Sequence, residues 1–363
     1  MNMIPKKNIV IDGSSLLYHR GVGSYVNSLI SGINKIDIPK DYNIFVCLPI
    51  DYKGEFRNIK KIKFIRRPFI NKIIWDLILL PIYSWLLGGK LIHFTENTGG
   101  LLFSNFIKLK YILTLHDVSF LKNFDLVGKP KTIKQWIGYY YRRWSIHYFV
   151  KNSEKIITVS NFAKKDIENE LKLEKKKIKT IYNALSDTFF SKRILKQKKN
   201  ILIVTGSSNQ KNFSKTLKFL YKILDLIKGW KIIIVGIKGV DTKFIKFIGK
   251  KKREHLLKYY DKSKILLMPS LYESFSIPII EALSRELLVV SSKFGAAPEI
   301  LKKYGIFYNP HSFKELKKCL IKVTKKKKYF NKIKIKKAKK YAFSYTQEKL
   351  AKETFQIYKE LLK

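Results

Sequence analysis

The chain has 363 residues, 46% of them hydrophobic, too many for one ordinary core and about right for two of roughly 150–200 residues each. Its 74 basic and 27 acidic residues leave a formal charge of +47, but the lysines are dispersed among apolar residues, which argues against a disordered chain. The two cysteines, Cys47 and Cys319, lie far apart without metal-ligand spacing, which speaks for a reducing compartment and against a disulfide or zinc framework.

From the N-terminus, Met1–Ile11 has no apolar signal-peptide core and runs into a strand, so a cytoplasmic protein is expected. Short β-rich runs then alternate with helical patterns, which predicts parallel sheets with helices on both faces. The first half should hold strands at Asn8–Asp12, Asn43–Cys47, Leu91–Phe94, Tyr111–Leu115, Lys155–Val159 and Lys179–Tyr182. After the first strand stands Gly21-Val-Gly23-Ser-Tyr25, read as a loop whose small residues let backbone approach a ligand before a helix begins. Ile73–Gly89 is strongly apolar but short for a membrane span, and Asp76 and Pro81 interrupt it; a buried helix or an interfacial segment fits better. Lys129–Tyr148 places Trp136, Tyr140, Arg143 and His147 on one helical face, which suits either an interfacial helix or a core with a solvated flank.

Residues 186–199 are polar, basic and without period, and read as a linker. The pattern then restarts, with a strand at Asn200–Thr205 and a helix carrying Phe213, Leu217, Leu220, Leu224 and Ile227 on one face. Further strands are expected at Trp230–Val235, Ile265–Met268 and Leu287–Ser291. A restart of this kind predicts two α/β domains, 1–185 and 200–342, with a cleft between them and ligands at the strand C-termini.

Three segments of this frame can carry chemistry. In Pro269-Ser-Leu-Tyr-Glu273-Ser-Phe275-Ser276-Ile277-Pro-Ile-Ile-Glu281-Ala, a strand ends, a loop carries Glu273, and Pro278 suits a helix start. Such a start aims N–H groups and positive dipole at an anion, and two carboxylates beside it can accept hydrogen bonds from sugar hydroxyls. Taken alone, the same residues also fit a surface acid and a helix-dipole acid. In Thr205-Gly206-Ser-Ser-Asn-Gln-Lys211-Asn212, Gly206 permits a tight turn, and Lys211 at a helix entry can neutralise a diphosphate. The strand Tyr111–Leu115 delivers His116 to its C-terminal end, as a reactive or a merely structural histidine.

Together these segments resemble the family-four retaining glycosyltransferases. The first matches that family's P-S-x-x-E-G-F-G-L-P-x-x-E-A signature, with Glu273 and Glu281 at the right separation. The Lys211 run resembles G-x-x-x-P-x-K-N, the Gly21 run G-x-G-x-Y, and the His116 run T-x-H-D. The resemblance implies a GT-B fold, two Rossmann-like domains across a cleft, with a C-terminal helix (343–363) crossing back to the first. It implies that Glu281 holds the donor ribose and Glu273 lies by the transferred sugar, with Lys211 and the Phe275, Ser276 and Ile277 amides on phosphate. Glu299 and the Ala296–Ala297 amides would stand near the sugar, His116 by the reacting centre, and Gly21, Gly23 and Tyr25 on the acceptor and phosphate side. The sequence departs from the pattern at Ser274 and Ser276, which replace both glycines, and in a Lys211 loop one residue shorter and without its proline.

The activity implied is transfer of a hexose, with retention, from a nucleotide-diphosphate sugar to a glycan or lipid-linked glycan acceptor, without cofactor or metal. Its setting would be surface polysaccharide synthesis, with the basic charge drawn to an anionic membrane surface or reflecting coding bias. A soluble α-glucan or sucrose-type synthase is the alternative enzyme. A non-catalytic nucleic-acid-binding protein is the distant one, and no RRM, KH, helix-turn-helix or zinc pattern supports a nucleic-acid partner.

Overall fold

The computed structural model describes residues 6–17, 21–52, 59–67, 71–100, 109–191 and 197–363. The first five residues and 192–196, in the middle of the expected linker, lie outside the described residues. The chain divides into two compact units. One comprises Met1–Leu121, Pro130–Ala184 and Thr346–Lys363, the other Lys122–Lys129 and Leu185–Tyr345.

In the first unit, β1 (Lys7–Asp12), β2 (Tyr42–Pro49), β3 (Ile62–Arg67), β4 (Gly89–Phe94), β5 (Lys110–Thr114), β6 (Lys155–Thr158) and β7 (Ile178–Thr180) form one parallel sheet. Their order is β3-β2-β1-β4-β5-β6-β7. The strands are apolar on both sides because both faces are covered. Ile9, Ile11, Leu91 and Ile112 pack under the helices Gly21–Ile33 and Gln347–Leu361. Val10, Phe45, Ile92 and Tyr111 pack under the helical stretch 72–86 and the helix Ile133–Asn152. Gln347–Leu361 is the last helix, so the C-terminus does return to the first unit.

The second unit has β8 (Asn200–Val204), β9 (Lys231–Val235), β10 (Ile245–Gly249), β11 (Ile265–Met268), β12 (Leu288–Ser292) and β13 (Gly305–Tyr308). They are parallel, in the order β10-β9-β8-β11-β12-β13. Each sheet therefore reverses its strand order once, between β1 and β4 and between β8 and β11. In doubly wound sheets the loops leaving the strand C-termini at that reversal are where ligands bind.

Several expectations need correction. β3 and β10 were not anticipated: both begin Ile-Lys-Phe-Ile at a sheet edge, where a lysine at the second position breaks the apolar run. The helix expected through Ile227 ends at Tyr221, and a separate 3-10 turn, Leu224–Ile227, continues the apolar face. Gly21 and Gly23 are not in a loop but open the helix Gly21–Ile33. Within the expected linker, Asp187–Phe190 is a 3-10 turn whose buried Phe189 packs edge-on against Tyr260, ring centroids 5.4 Å apart.

Candidate active site

In the second unit the loops leaving β8 and β11 meet at the strand-order reversal. The β8 loop ends in a 3-10 turn, Asn209–Lys211, closed by Asn212 in the left-handed region (φ +51°). The Asn212 amide nitrogen Nδ2 donates to the carbonyls of Pro269 (3.3 Å) and Pro310 (3.2 Å), and Leu271 N donates to Gln210 O (2.7 Å). These bonds fix the Lys211 backbone against the β11 loop. Lys211 Nζ consequently stands 2.6 Å from Glu273 Oε1, which also accepts from Ser270 Oγ at 2.7 Å. Both charged side chains remain partly accessible, at 27% and 14%.

The helix Ile277–Ser284 begins immediately after this loop, with Pro278 in its first turn. Ser276 caps it with φ +71° and ψ +68°, so the serine that replaces a family glycine does take the conformation glycine would favour. Its Oγ is buried and makes no hydrogen bond. Phe275 is buried against Tyr345, ring centroids 5.7 Å apart. Glu281, 3% exposed, accepts the Tyr260 hydroxyl on Oε2 at 2.7 Å, an orientation that a carboxylate serving only the helix dipole would not need.

A third loop closes on Glu273 from behind. Gly295 has φ +70°, and a Cβ there would lie 2.7 Å from Glu273 N and 2.9 Å from its O. Ala296 N donates to Glu273 O at 2.9 Å. That amide, expected near the sugar, is therefore already spent on the Glu273 backbone. Glu299, in the helix Ala297–Leu301, is half-buried near Tyr341, whose hydroxyl pKa is raised by burial and further by Tyr304 and Glu299.

In the first unit the loops leaving β1 and β4 are tied by Thr95 Oγ1 donating to Asp12 O at 2.7 Å. Asp12 is buried; its Oδ1 accepts from Ser14 N (3.1 Å), Ser14 Oγ (2.5 Å) and Trp75 Nε1 (3.1 Å). Lys72 Nζ lies 3.2 Å from Asp12 Oδ2 and pairs with Asp76 as well. Burial, opposed by Lys72, pushes the Asp76 carboxyl up to about 7. His116, 5% exposed, follows β5; its Nε2 donates to Thr95 O at 3.0 Å, leaving the ring lone pair on Nδ1 in the neutral form. Burial lowers its pKa and keeps it neutral. Tyr25 packs edge-on against this ring at 5.0 Å, and its hydroxyl pairs with Thr114 Oγ1 at 3.0 Å. Tyr25 thus points into the core rather than offering its hydroxyl to a phosphate.

Against known families, residues 20–189 match "Glycosyltransferase Family 4" and residues 186–341 match "Glycosyl transferases group 1". The chain is a GT-B glycosyltransferase. It is 26% identical over 183 residues to the O-antigen chain mannosyltransferase RfbU of Salmonella typhimurium, covering 47% of this chain and 51% of that protein. It is 23% identical over 226 residues to the O-antigen chain mannosyltransferase B of Escherichia coli, covering 55% and 57% respectively. The glycosyltransferase thus spans between half and three fifths of the length of the curated relatives it matches. Among solved structures it is similar to sucrose-phosphate synthase from Thermosynechococcus elongatus, with TM-score 0.72, 14% identity, and 98% and 99% of the two chains covered. It is also similar to Anabaena HepE in complex with UDP and glucose, with TM-score 0.67, 14% identity, and coverage of 97% and 99%. At those identities the likeness is one of fold.

Of the residues singled out in the sequence, the glycosyltransferase brings Lys211 and Glu273 into contact, sets Ser276 and Ile277 at the adjoining helix start, and carries Glu281 one turn further along that helix. Gly206 leaves β8 with open space around it, and the position that requires glycine is instead Gly236, where a Cβ would lie 1.9 Å from Thr205 O. Tyr260 also belongs to the site and was missed, because it carries no motif. The run from Gly295 to Glu299 is read in the sequence as a second donor-side loop, but the need for glycine at 295 becomes visible only where that loop abuts Glu273.

Proposed function

We propose that this glycosyltransferase moves a hexose, with retention, from a nucleotide-diphosphate sugar to a glycan or lipid-linked glycan acceptor in surface polysaccharide synthesis at the cytoplasmic face of a membrane. The observation that carries the reading is the Lys211–Glu273 pair at the β8/β11 reversal, 2.6 Å apart, beside a helix start and the buried Glu281. Lys211 and the amides of Phe275, Ser276 and Ile277 take the diphosphate, supplying the positive charge that a metal would otherwise provide. Glu281 accepts from the ribose hydroxyls, with Tyr260 fixing its orientation. Glu273 orients the sugar hydroxyls, and Glu299 stands on the sugar side. In the transfer step the bond from sugar C1 to the phosphate oxygen breaks and the bond from the acceptor oxygen to C1 forms on the same face. The acceptor proton passes to the departing phosphate. The O-antigen mannosyltransferase relatives support the acceptor class, and the family match supports retention.

A thermal-shift comparison of wild type and Glu281→Ala against UDP, GDP, ADP, dTDP, CMP and their common sugars tests the donor site. One nucleotide should raise the melting temperature of the wild type and not of the variant. Stabilisation by none of them sinks the reading. With the donor known, the anomeric coupling in the product tests retention, and turnover unchanged by a chelator tests the independence from metal.

A further inference from the structure

Of the fifteen large hydrophobic side chains exposed among the described residues, ten lie on two helical segments of the first unit. On the stretch 72–86, Ile74, Ile78, Ile82 and Trp85 recur at helical spacing. On the helix Ile133–Asn152, Ile133, Ile137, Tyr140 and Trp144 recur at spacings of four, three and four, within one narrow stripe. Trp85 and Trp144 are 63% and 60% exposed. An apolar stripe this continuous on a folded protein marks an interaction surface.

The two stripes belong to one face. Trp75 and Leu80 of the first segment and Ile146 and Val150 of the second are buried in the same core cluster, on the sheet face that carries Val10, Ile92 and Tyr111. The segments are neighbours there: after burial, the Asp76 carboxylate is the next cause raising the Tyr141 hydroxyl pKa. Their inner sides fill one layer of core, so their outer sides form the outer surface of that layer.

The surrounding charge selects the occupant. Residues 130–152 hold five basic residues and no acidic one; Arg143 is turned inward, donating to the carbonyls of Phe120 (3.2 Å) and Leu121 (3.0 Å), and Arg142 is half-buried. Asp76, the one acid of the other segment, is buried on Lys72. A second copy of a chain with net charge +47 would bring the same basic rim against itself. No described helix is long and apolar enough to cross a membrane. Tryptophan, tyrosine and isoleucine on one side with lysine and arginine at the flanks is the composition that seats a helix in a headgroup layer. We propose that this two-helix face docks the enzyme on an anionic lipid bilayer, with Trp85 and Trp144 inserted at the headgroup level. The inference extends the lipid-linked acceptor of the proposed function and rests on that reading only for its biological purpose.

The test is co-sedimentation with vesicles of phosphatidylcholine alone and with one third phosphatidylglycerol. Wild type is compared with the triple variant Ile78→Ser, Trp85→Ser, Trp144→Ser and with the control Lys325→Gln, Lys328→Gln in the second unit. Wild type should bind the anionic vesicles at least about tenfold better than the neutral ones, the triple variant should lose about tenfold or more, and the control less than about twofold. Tryptophan emission of the wild type should shift to the blue on binding. The altered side chains are exposed, so melting should be unchanged; should the triple variant not fold, Trp85→Ser and Trp144→Ser are read singly. A triple variant that binds like wild type would leave charge alone as the cause and overturn the proposal. So would a wild type indifferent to anionic lipid, or sedimentation showing a dimer that only the stripe variants lose. The nucleotide thermal shift is measured on the same samples, so failure of the donor site and failure of the membrane face read out separately.

Discussion

His93 couples the stability of the first unit to pH. It lies on β4, fully buried, with Nδ1 2.5 Å from the Tyr358 hydroxyl and Nε2 2.7 Å from Thr114 Oγ1. Burial first, and then the neighbouring His116, push its pKa down to about 3. In the unfolded chain it titrates near its ordinary value of 6.5. The unfolded state therefore takes up the proton first, and stability present above that value is lost as the pH falls toward about 3. At about pH 5 the unfolded histidine is favoured by a factor of about thirty, or about 2 kcal/mol. Asp76 opposes this trend, because its carboxyl is pushed up to about 7 and its contribution is lost as the pH rises. The wild-type slope mixes the two, so the quantity to measure is the difference between wild type and His93→Gln. Urea unfolding followed by tryptophan fluorescence suits the purpose, since Trp75, Trp85, Trp136 and Trp144, four of the five tryptophans, belong to the first unit. The advantage of wild type over the variant should shrink by about 2 kcal/mol between about pH 7.5 and about pH 5. A difference that stays constant to within about 0.5 kcal/mol would refute the assignment of a neutral, desolvated His93.

The remaining predictions concern the second unit. Ser276→Gly removes a left-handed serine and a buried unpaired hydroxyl, and should stabilise the unit by about 1 kcal/mol, seen as a higher urea midpoint with donor binding retained. Gly295→Ala drives a Cβ into the Glu273 backbone at 2.7 Å with φ +70°, and should cost about 2 kcal/mol or more and abolish nucleotide-induced stabilisation; an unaltered thermal shift would contradict that packing. Lys211→Met should leave the melting temperature within about 2 °C of wild type while lowering kcat by about 100-fold, because its role is with the leaving diphosphate. Turnover within about threefold of wild type would remove Lys211 from the site.

The parts of this enzyme that could be read in the sequence are those whose chemistry is local. Glu273, Ser276 and Glu281 lie within nine consecutive residues, so a strand end, a loop and a helix start place them without knowledge of anything distant. The alternating pattern likewise exposed most central strands, because both faces of the first sheet are covered and the central strands β11 and β12 of the second are buried throughout. What escaped depends on contacts between distant segments. Asn212 is held by Pro269 and Pro310, 57 and 98 residues away. Gly236 is forced by Thr205, and Gly295 by Glu273. The Gly21–Gly23 run looked like a phosphate loop because two glycines normally interrupt a helix. Here the helix survives them, since Tyr25, Val26, Leu29 and Ile30 beyond are all fully buried and tertiary packing outweighs propensity.

Asp76 shows the same limit and joins the two faces of the first unit. In the sequence it is an acid that disqualifies Ile73–Gly89 as a membrane span. In the fold it lies beneath the helical stretch and pairs with Lys72, which also holds Asp12 at the C-terminal end of β1. Trp75, beside it, donates to that same Asp12. One side of the stretch is therefore fastened to the strand-order reversal of the first sheet, while Ile74, Ile78 and Ile82 occupy the other side and are exposed. An apolar stripe on a loosely held helix could turn inward to escape water. Turning it inward would pull the half-buried Lys72 from two buried carboxylates, a cost of about 3–5 kcal/mol that offsets what the half-exposed isoleucines would recover. The polar cluster beneath the stripe thus opposes its retreat from water.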